Sequence, residues 1–213
     1  MTKKELYARF VDYFRRAMPD AQTELHFRSN YELLVSVMLS AQCTDRRVNM
    51  VTPSLFDRFP TVDALAAADV ADVYERIRSI SYPNSKARHL VGMAQQVVER
   101  FGGDIPSELD ALMSLPGVGR KTANVVMSVG FGQARMAVDT HVFRVSHRIG
   151  LVPQRCTTPL STERELVKHL PPDTIHDAHH WLILHGRYVC KAIHPLCEQC
   201  GIKDFCRKAK ECL

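Results

Sequence analysis

The segment Leu115-Pro116-Gly117-Val118-Gly119-Arg120-Lys121-Thr122-Ala123-Asn124-Val125-Val126 decides how this sequence is read. Pro116 ends whatever helix precedes it, a Gly-Val-Gly turn follows, and a new helical pattern starts near Gly119. Two glycines permit positive φ and leave no side chain between the backbone and a visitor. The free N–H groups at the start of the second helix point outward with the positive end of its dipole. Such a turn suits an anion, and a DNA phosphate fits it without any reading of bases. An ordinary glycine turn joining two packed helices has the same signature. Lys121 shifts the balance, because it falls in the first helical turn beside Arg120, where the dipole and a second positive charge both disfavour a cation. A neutral amine is a nucleophile able to form a Schiff base. A protonated lysine that contacts phosphate is an equally good reading of these residues alone.

The surroundings of the segment are basic. The 213 residues carry 28 Lys+Arg against 23 Asp+Glu, a formal net charge of +5. From Leu115 to Gly150 five basic residues (Arg120, Lys121, Arg135, Arg144, Arg148) meet one acid, Asp139, so this stretch holds +4 of that total. A basic centre in a nearly balanced chain points to a polyanion such as nucleic acid, with a solvated basic helix face as the plain alternative. The composition, 46% hydrophobic and 24% charged, is that of an ordinary globular protein, which excludes a disordered chain. No apolar run approaches the ~18 residues a membrane helix needs. The N-terminus lacks the apolar stretch of a secretory signal, which points to the cytosol.

Away from the hairpin almost everything reads as helix. Thr2 and Glu5 form a capping box ahead of Leu6, Phe10, Val11 and Phe14 at helical spacing. Helical patterns follow over about Asn30–Gln42, Asp45–Arg58, Asp69–Arg78, Ser85–Phe101, Ser107–Met113 and Gly119–Val129, then Asp139–Ile149, Thr162–Leu170 and Asp173–His185. Prolines sit at the joints, and no alternating run is long enough for a strand. An all-α protein is expected. Asp139-Thr140 precedes Val142, Phe143, Val145 and Ile149, so Asp139 reads first as an N-cap.

Seven cysteines are present, four of them at the end with the spacing Cys190-x6-Cys197-x2-Cys200-x5-Cys206. An odd count without a signal peptide argues for a metal or cluster site in a reducing compartment rather than a disulfide framework. Four thiolates suit zinc or an iron–sulfur cluster, and a single tight Cys-x2-Cys pair leans toward the cluster. Cys43, Cys156 and Cys212 read as packing residues or exposed thiols.

Taken together, the hairpin with Lys121, the segment Val138-Asp139-Thr140-His141 and the four-cysteine tail resemble the endonuclease III family of helix–hairpin–helix DNA glycosylases with abasic-site lyase activity. Leu39-Ser40-Ala41-Gln42 and His179-His180-Trp181-Leu182-Ile183-Leu184-His185-Gly186-Arg187-Tyr188 extend the resemblance, in order, over nearly the whole chain. The resemblance implies a six-helix barrel over residues 23–133, with the helix–hairpin–helix motif at about 108–130. It implies a second, discontinuous helical domain over 1–22 and 134–213 that holds a [4Fe–4S] cluster on Cys190, Cys197, Cys200 and Cys206, with the active site in the cleft between the two.

Further roles follow from the same resemblance. Lys121 is then the catalytic amine and Asp139 its carboxylate partner. Gln42 plugs the hole left by an extruded nucleotide, and the loop Ile80–Lys86 supplies the wedge, with Tyr82 in place of the aliphatic residue usual in relatives. Gly117, Val118, Gly119, Arg120, Thr122, His141 and Lys191 meet DNA. Met113 stands where relatives carry an acid, and the loop after Cys190 offers only Lys191 and His194. The implied activity is removal of oxidised pyrimidines from duplex DNA and β-elimination at the abasic site, by a cytoplasmic, nucleoid-associated monomer. Rival readings are an adenine-mismatch glycosylase of the same superfamily, which lacks a lysine at position 121, and a non-catalytic zinc-containing DNA-binding module.

Overall fold

In a computed structural model the chain is helical throughout, with no strand among the described residues, which run from 1 to 212, with side chains described through 210. Its contacts divide it into two compact units, Glu24–Gly132 and the pair Met1–Thr23 with Gln133–Leu213.

In the first unit, α2 (Asn30–Ser40) is capped by the Ser29 hydroxyl, and every residue from Tyr31 to Leu39 is buried. Its one buried carboxylate, Glu32, is paired with Arg28 at 2.7 Å, and a mostly apolar helix buried on all sides must be central. Around it pack α3 (Asp45–Arg58), α6 (Pro83–Phe101) and α8 (Arg120–Val125), and α6 in turn packs on α4 (Val62–Ala66) and α5 (Val70–Ile77). Leu33, Leu34, Leu39, Leu55, Leu65, Ile77, Leu90, Met93 and Leu112 are fully buried. The short α7 (Leu109–Met113) packs against α8 and leads into the hairpin. The expected helix over Gly119–Val129 changes character: α8 ends at Val125, and a π-helical turn carries on from Val126 to Gly130.

In the second unit, α1 (Lys3–Ala17) has the expected Thr2–Glu5 capping box and buries Leu6, Phe10 and Phe14. These rings meet Trp181 of α11 (Ile175–Tyr188), Phe14 stacking on it at 5.9 Å and Phe10 edge-on at 6.1 Å. The indole N–H is satisfied by the Met18 carbonyl at 2.9 Å. The same core takes in Val142, Val145 and Ile149 of α9 (Thr140–Ile149) and Leu166 of α10 (Pro159–His169). The last helix, α12 (Ala209–Cys212), follows the cysteine tail. The side chain of Cys212 lies outside the described residues.

Candidate active site and cluster region

The hairpin is built from α7, a turn and α8. Gly117 has φ +77°, and a Cβ there would lie 2.8 Å from the Cβ of His89 on α6. Only glycine fits both the left-handed backbone and that approach. The turn closes with the Val118 N–H donating to the Leu115 carbonyl at 3.1 Å, and the Val118 side chain is buried. Gly119 is the N-cap of α8 and supplies no side-chain acceptor, so the start of this helix is not capped from within. Lys121 follows in the first turn and is exposed, with Thr122 half-buried beside it. Opposite the usual preference, this first turn carries no acid. Met113 ends α7 and is 41% exposed.

Two further residues from the sequence reading stand close by. Gln42 and Tyr82 both have left-handed backbones, φ 55° and 57°. Such conformations cost non-glycine residues about 1 kcal/mol or more and gather at functional sites. Tyr82 is 64% exposed, which rules out an inward-packed ring. It forms the N-cap of α6 without a side-chain cap, and Pro83 occupies the first helical position, two residues before the Ser85 start expected from periodicity. Gln42, Tyr82, Lys86, His89 and Gly117 line one depression. The fold therefore brings three of the proposed DNA-contacting residues together within the first unit.

Sequence reasoning gave no role of its own to Lys86 or His89. Lys86 is 8% exposed and donates to the carbonyls of Leu39 at 2.8 Å and Ala41 at 2.6 Å. Burial pushes its ammonium below the ordinary lysine range, with the Cys43 thiol acting in the opposite direction. A signal was present: Lys86, Leu90, Met93 and Val97 share the buried face of α6, a register in which a lysine must find acceptors.

In the second unit Asp139 is the N-cap of α9, its Oδ1 accepting from the Val142 N–H at 2.8 Å. The capping assignment is therefore correct, and it leaves Oδ2 outside the cap. His141 follows on α9 and meets Arg144 through its Nδ1 at 3.2 Å. The Arg144 guanidinium also donates to the Gly186 and Cys190 carbonyls at 2.9 and 3.2 Å. Arg148 holds the next two carbonyls, Lys191 at 2.6 Å and Ala192 at 2.9 Å. The exposed Lys191 is thus carried on a loop whose backbone is fixed by two arginines of α9.

Cys190, Cys197, Cys200 and Cys206 line one cavity with Ile149, Val189, Pro195, Leu196, Ile202 and Ala209 among its walls. Arg148 Nη1 lies 3.6 Å from the Cys190 sulfur, and the Cys206 sulfur is 3.5 Å from the Arg148 carbonyl. His185 Nε2 is 3.7 Å from the Cys200 sulfur. Among the described residues no three potential ligands converge as one metal ion requires. A [4Fe–4S] cluster takes one thiolate on each of its four irons, and four cysteines lining one largely apolar cavity fit that need. Cys43 and Cys156 lie elsewhere and are free.

This arrangement has close counterparts. Residues 35–172 match the HhH-GPD superfamily of base excision DNA repair proteins, and residues 190–206, from the first to the last cysteine of the tail, match the iron–sulfur binding domain of endonuclease III. Endonuclease III of Treponema pallidum is 43% identical over 208 residues, 98% of this chain and 97% of that protein. A non-covalent endonuclease III–DNA complex superposes with a TM-score of 0.93 at 41% identity, covering 99% of this chain and 98% of that one. A trapped endonuclease III–DNA covalent intermediate gives 0.92 at 42% identity, with the same coverage. Fold and hairpin thus define a helix–hairpin–helix base excision repair protein with an iron–sulfur tail. The chain belongs to the endonuclease III family, whose members carry a [4Fe–4S] cluster.

Proposed function

We propose that this protein removes oxidised pyrimidines from duplex DNA and cleaves the resulting abasic site by β-elimination. Lys121 is the nucleophile. The observation that carries this reading is the exposed lysine on the first turn of an uncapped helix, directly after a glycine turn, in a member of this family. The Gly117–Val118–Gly119 turn, Arg120 and Thr122 hold the DNA backbone, and His141 and Lys191 contact it from the second unit. Gln42 and Tyr82 fill the gap left when the nucleotide leaves the stack, since C1′ is out of reach inside a duplex.

The Lys121 amine forms a bond to C1′ as the C1′–N bond to the damaged base breaks, the base leaving with that electron pair. The sugar ring then opens to an imine, Asp139 steadies the developing positive charge and relays protons, and loss of a C2′ proton expels the 3′ phosphate. In this reading residues 23–133 form the six-helix barrel, and residues 1–22 with 134–213 form the cluster domain. Cys190, Cys197, Cys200 and Cys206 hold the [4Fe–4S] cluster, which ties off a tail too short to fold alone. Arg144 and Arg148 keep the adjoining loop in place. The protein works as a cytoplasmic, nucleoid-associated monomer; no helix among the described residues is long and apolar enough to cross a membrane.

The test is duplex DNA bearing one oxidised pyrimidine, incubated with wild-type protein and Lys121→Ala. Wild type releases the base, nicks 3′ to the lesion and is captured on the DNA by borohydride, whereas Lys121→Ala still binds but gives no adduct. Capture by Lys121→Ala at the wild-type level overturns the assignment. The purified protein is expected to be yellow-brown, with iron and sulfide in near-equal amounts. Stoichiometric zinc without iron contradicts the cluster reading.

A further inference from the structure

The two strained residues Gln42 and Tyr82 are not independent tips. The carbonyl of Ala41, immediately before Gln42, accepts from Lys86 Nζ at 2.6 Å, and the carbonyl of Gln42 itself accepts from the Ser81 hydroxyl at 2.8 Å. Ser81 directly precedes Tyr82, and the Tyr82 carbonyl accepts from the Lys86 N–H at 3.1 Å and the Ser85 hydroxyl at 3.2 Å. Every peptide carbonyl from Ala41 to Gln42 and at Tyr82 is therefore held by a residue of the segment 81–86. Lys86 also donates to the Leu39 carbonyl at 2.8 Å, the Cys43 N–H donates to that of Ser40 at 3.0 Å and the Ser40 hydroxyl to that of Val37 at 2.9 Å, so these three carbonyls of the last turn of α2 have donors. A cation placed there also meets the negative end of the helix dipole.

We propose that Ser81 and Lys86 are positioning residues that lock Gln42 and Tyr82 into one rigid wedge, so that both side chains enter the duplex as a unit. The proposal rests on the gap-filling role given to Gln42 and Tyr82 above. An exposed residue with a left-handed backbone relaxes readily toward common conformations unless its surroundings prevent it. Here the restraint is local: one buried ammonium bridges α2 to α6, and one hydroxyl ties the two tips together. Rigid presentation matters because inserting a side chain into a base stack otherwise carries the added cost of ordering a loop. Neither Ser81 nor Lys86 touches DNA in this account.

The test uses the full-length, cluster-loaded protein and two substrates: duplex DNA with one oxidised pyrimidine opposite 2-aminopurine, and a single-stranded abasic oligonucleotide. Ser81→Ala should slow single-turnover excision from the duplex about tenfold, as expected for a lost hydrogen bond that orders a contact, and should shift the 2-aminopurine signal. Borohydride trapping on the single strand should stay within about twofold, since no stack is opened there. Ser81→Thr, which keeps the hydroxyl, should restore duplex excision. In a Tyr82→Ala background Ser81→Ala should add little, because coupled residues are not additive. Lys86→Met should act in the same direction with a lower melting temperature. Equal losses on both substrates from Ser81→Ala, or no loss on duplex, overturn the proposal. If Gln42→Ala and Tyr82→Ala leave duplex excision intact, the gap-filling role falls and the wedge with it. If those two impair excision while Ser81→Ala does not, the wedge alone falls.

Discussion

The start of α8 is open, with glycine at its N-cap and no acid in its first turn, whereas the start of α9 is closed by the Asp139 carboxylate on the Val142 N–H. Both helices belong to the basic stretch that holds most of the net charge. On the proposed function, the difference lets one kind of element serve two tasks. A helix that receives an external anion must keep its first N–H groups unspent and its approach bare. A helix that presents a carboxylate can spend one oxygen on its own cap, which fixes the side chain, and keep the other for chemistry. Gly117 and Gly119 make the first arrangement possible, and Asp139 makes the second.

The largest expected break of this contrast is Gly117→Val. The new Cβ meets His89 in a backbone conformation that valine resists, and stability should fall by about 2 kcal/mol in thermal or denaturant unfolding. Affinity for damaged and undamaged duplex should fall alike, by about tenfold or more, and the steep salt dependence of wild-type binding should flatten. A folded Gly117→Val protein that binds like wild type, with the same salt slope, contradicts the hairpin assignment.

A smaller effect separates the capping role of Asp139 from the catalytic role proposed for it. Asp139→Ala loses the cap and should be about 1 kcal/mol less stable, while Asp139→Asn keeps an acceptor and should lose only a few tenths. Turnover should fall strongly in both, yet some borohydride trapping should survive because the amine remains. If turnover follows stability, with Asp139→Asn near wild type, the carboxylate has only a structural role.

The smallest effect on the free protein should come from Gly119→Ala. Gly119 has φ −91°, and nothing lies within 4 Å of an added Cβ. The melting temperature should therefore stay within about a degree or two, since surface substitutions away from special features change stability little. DNA binding should still weaken, because the added methyl lies where the phosphate approaches. Loss of stability without loss of binding would reverse the roles given to the two glycines.

Much of the fold was legible because long helices announce themselves through period and caps. The Thr2–Glu5 box and the Asp139 cap appear as read. The five-residue α4 was missed because so short an element has no periodicity, although Thr61 caps it. α10 begins at Pro159, before the expected Thr162, because Ser161 rather than Glu or Gln completes the capping box with Thr158. The π-helical turn after Val125 breaks the expected helix without any proline or glycine to mark its onset. In the site, residue types and spacing drew attention to Lys121 and the four cysteines, whereas Asp139 read only as a cap and took its proposed catalytic role from the family resemblance. The gathering of Gln42, Tyr82 and Gly117 around Lys86 and His89 depends on how α2 and α6 pack, which no local pattern encodes.

The central claim is that the Lys121 amine forms the covalent bond to the sugar. The direct measurement is to reduce the complex of wild-type protein and abasic duplex with borohydride, digest protein and DNA, and map the modified peptide by mass spectrometry. The sugar remnant should lie on Lys121 and on no other amine, and Asp139→Asn should give the same peptide in lower yield. A remnant on Lys86, Lys191 or the N-terminal amine, with Lys121 unmodified, would contradict the account.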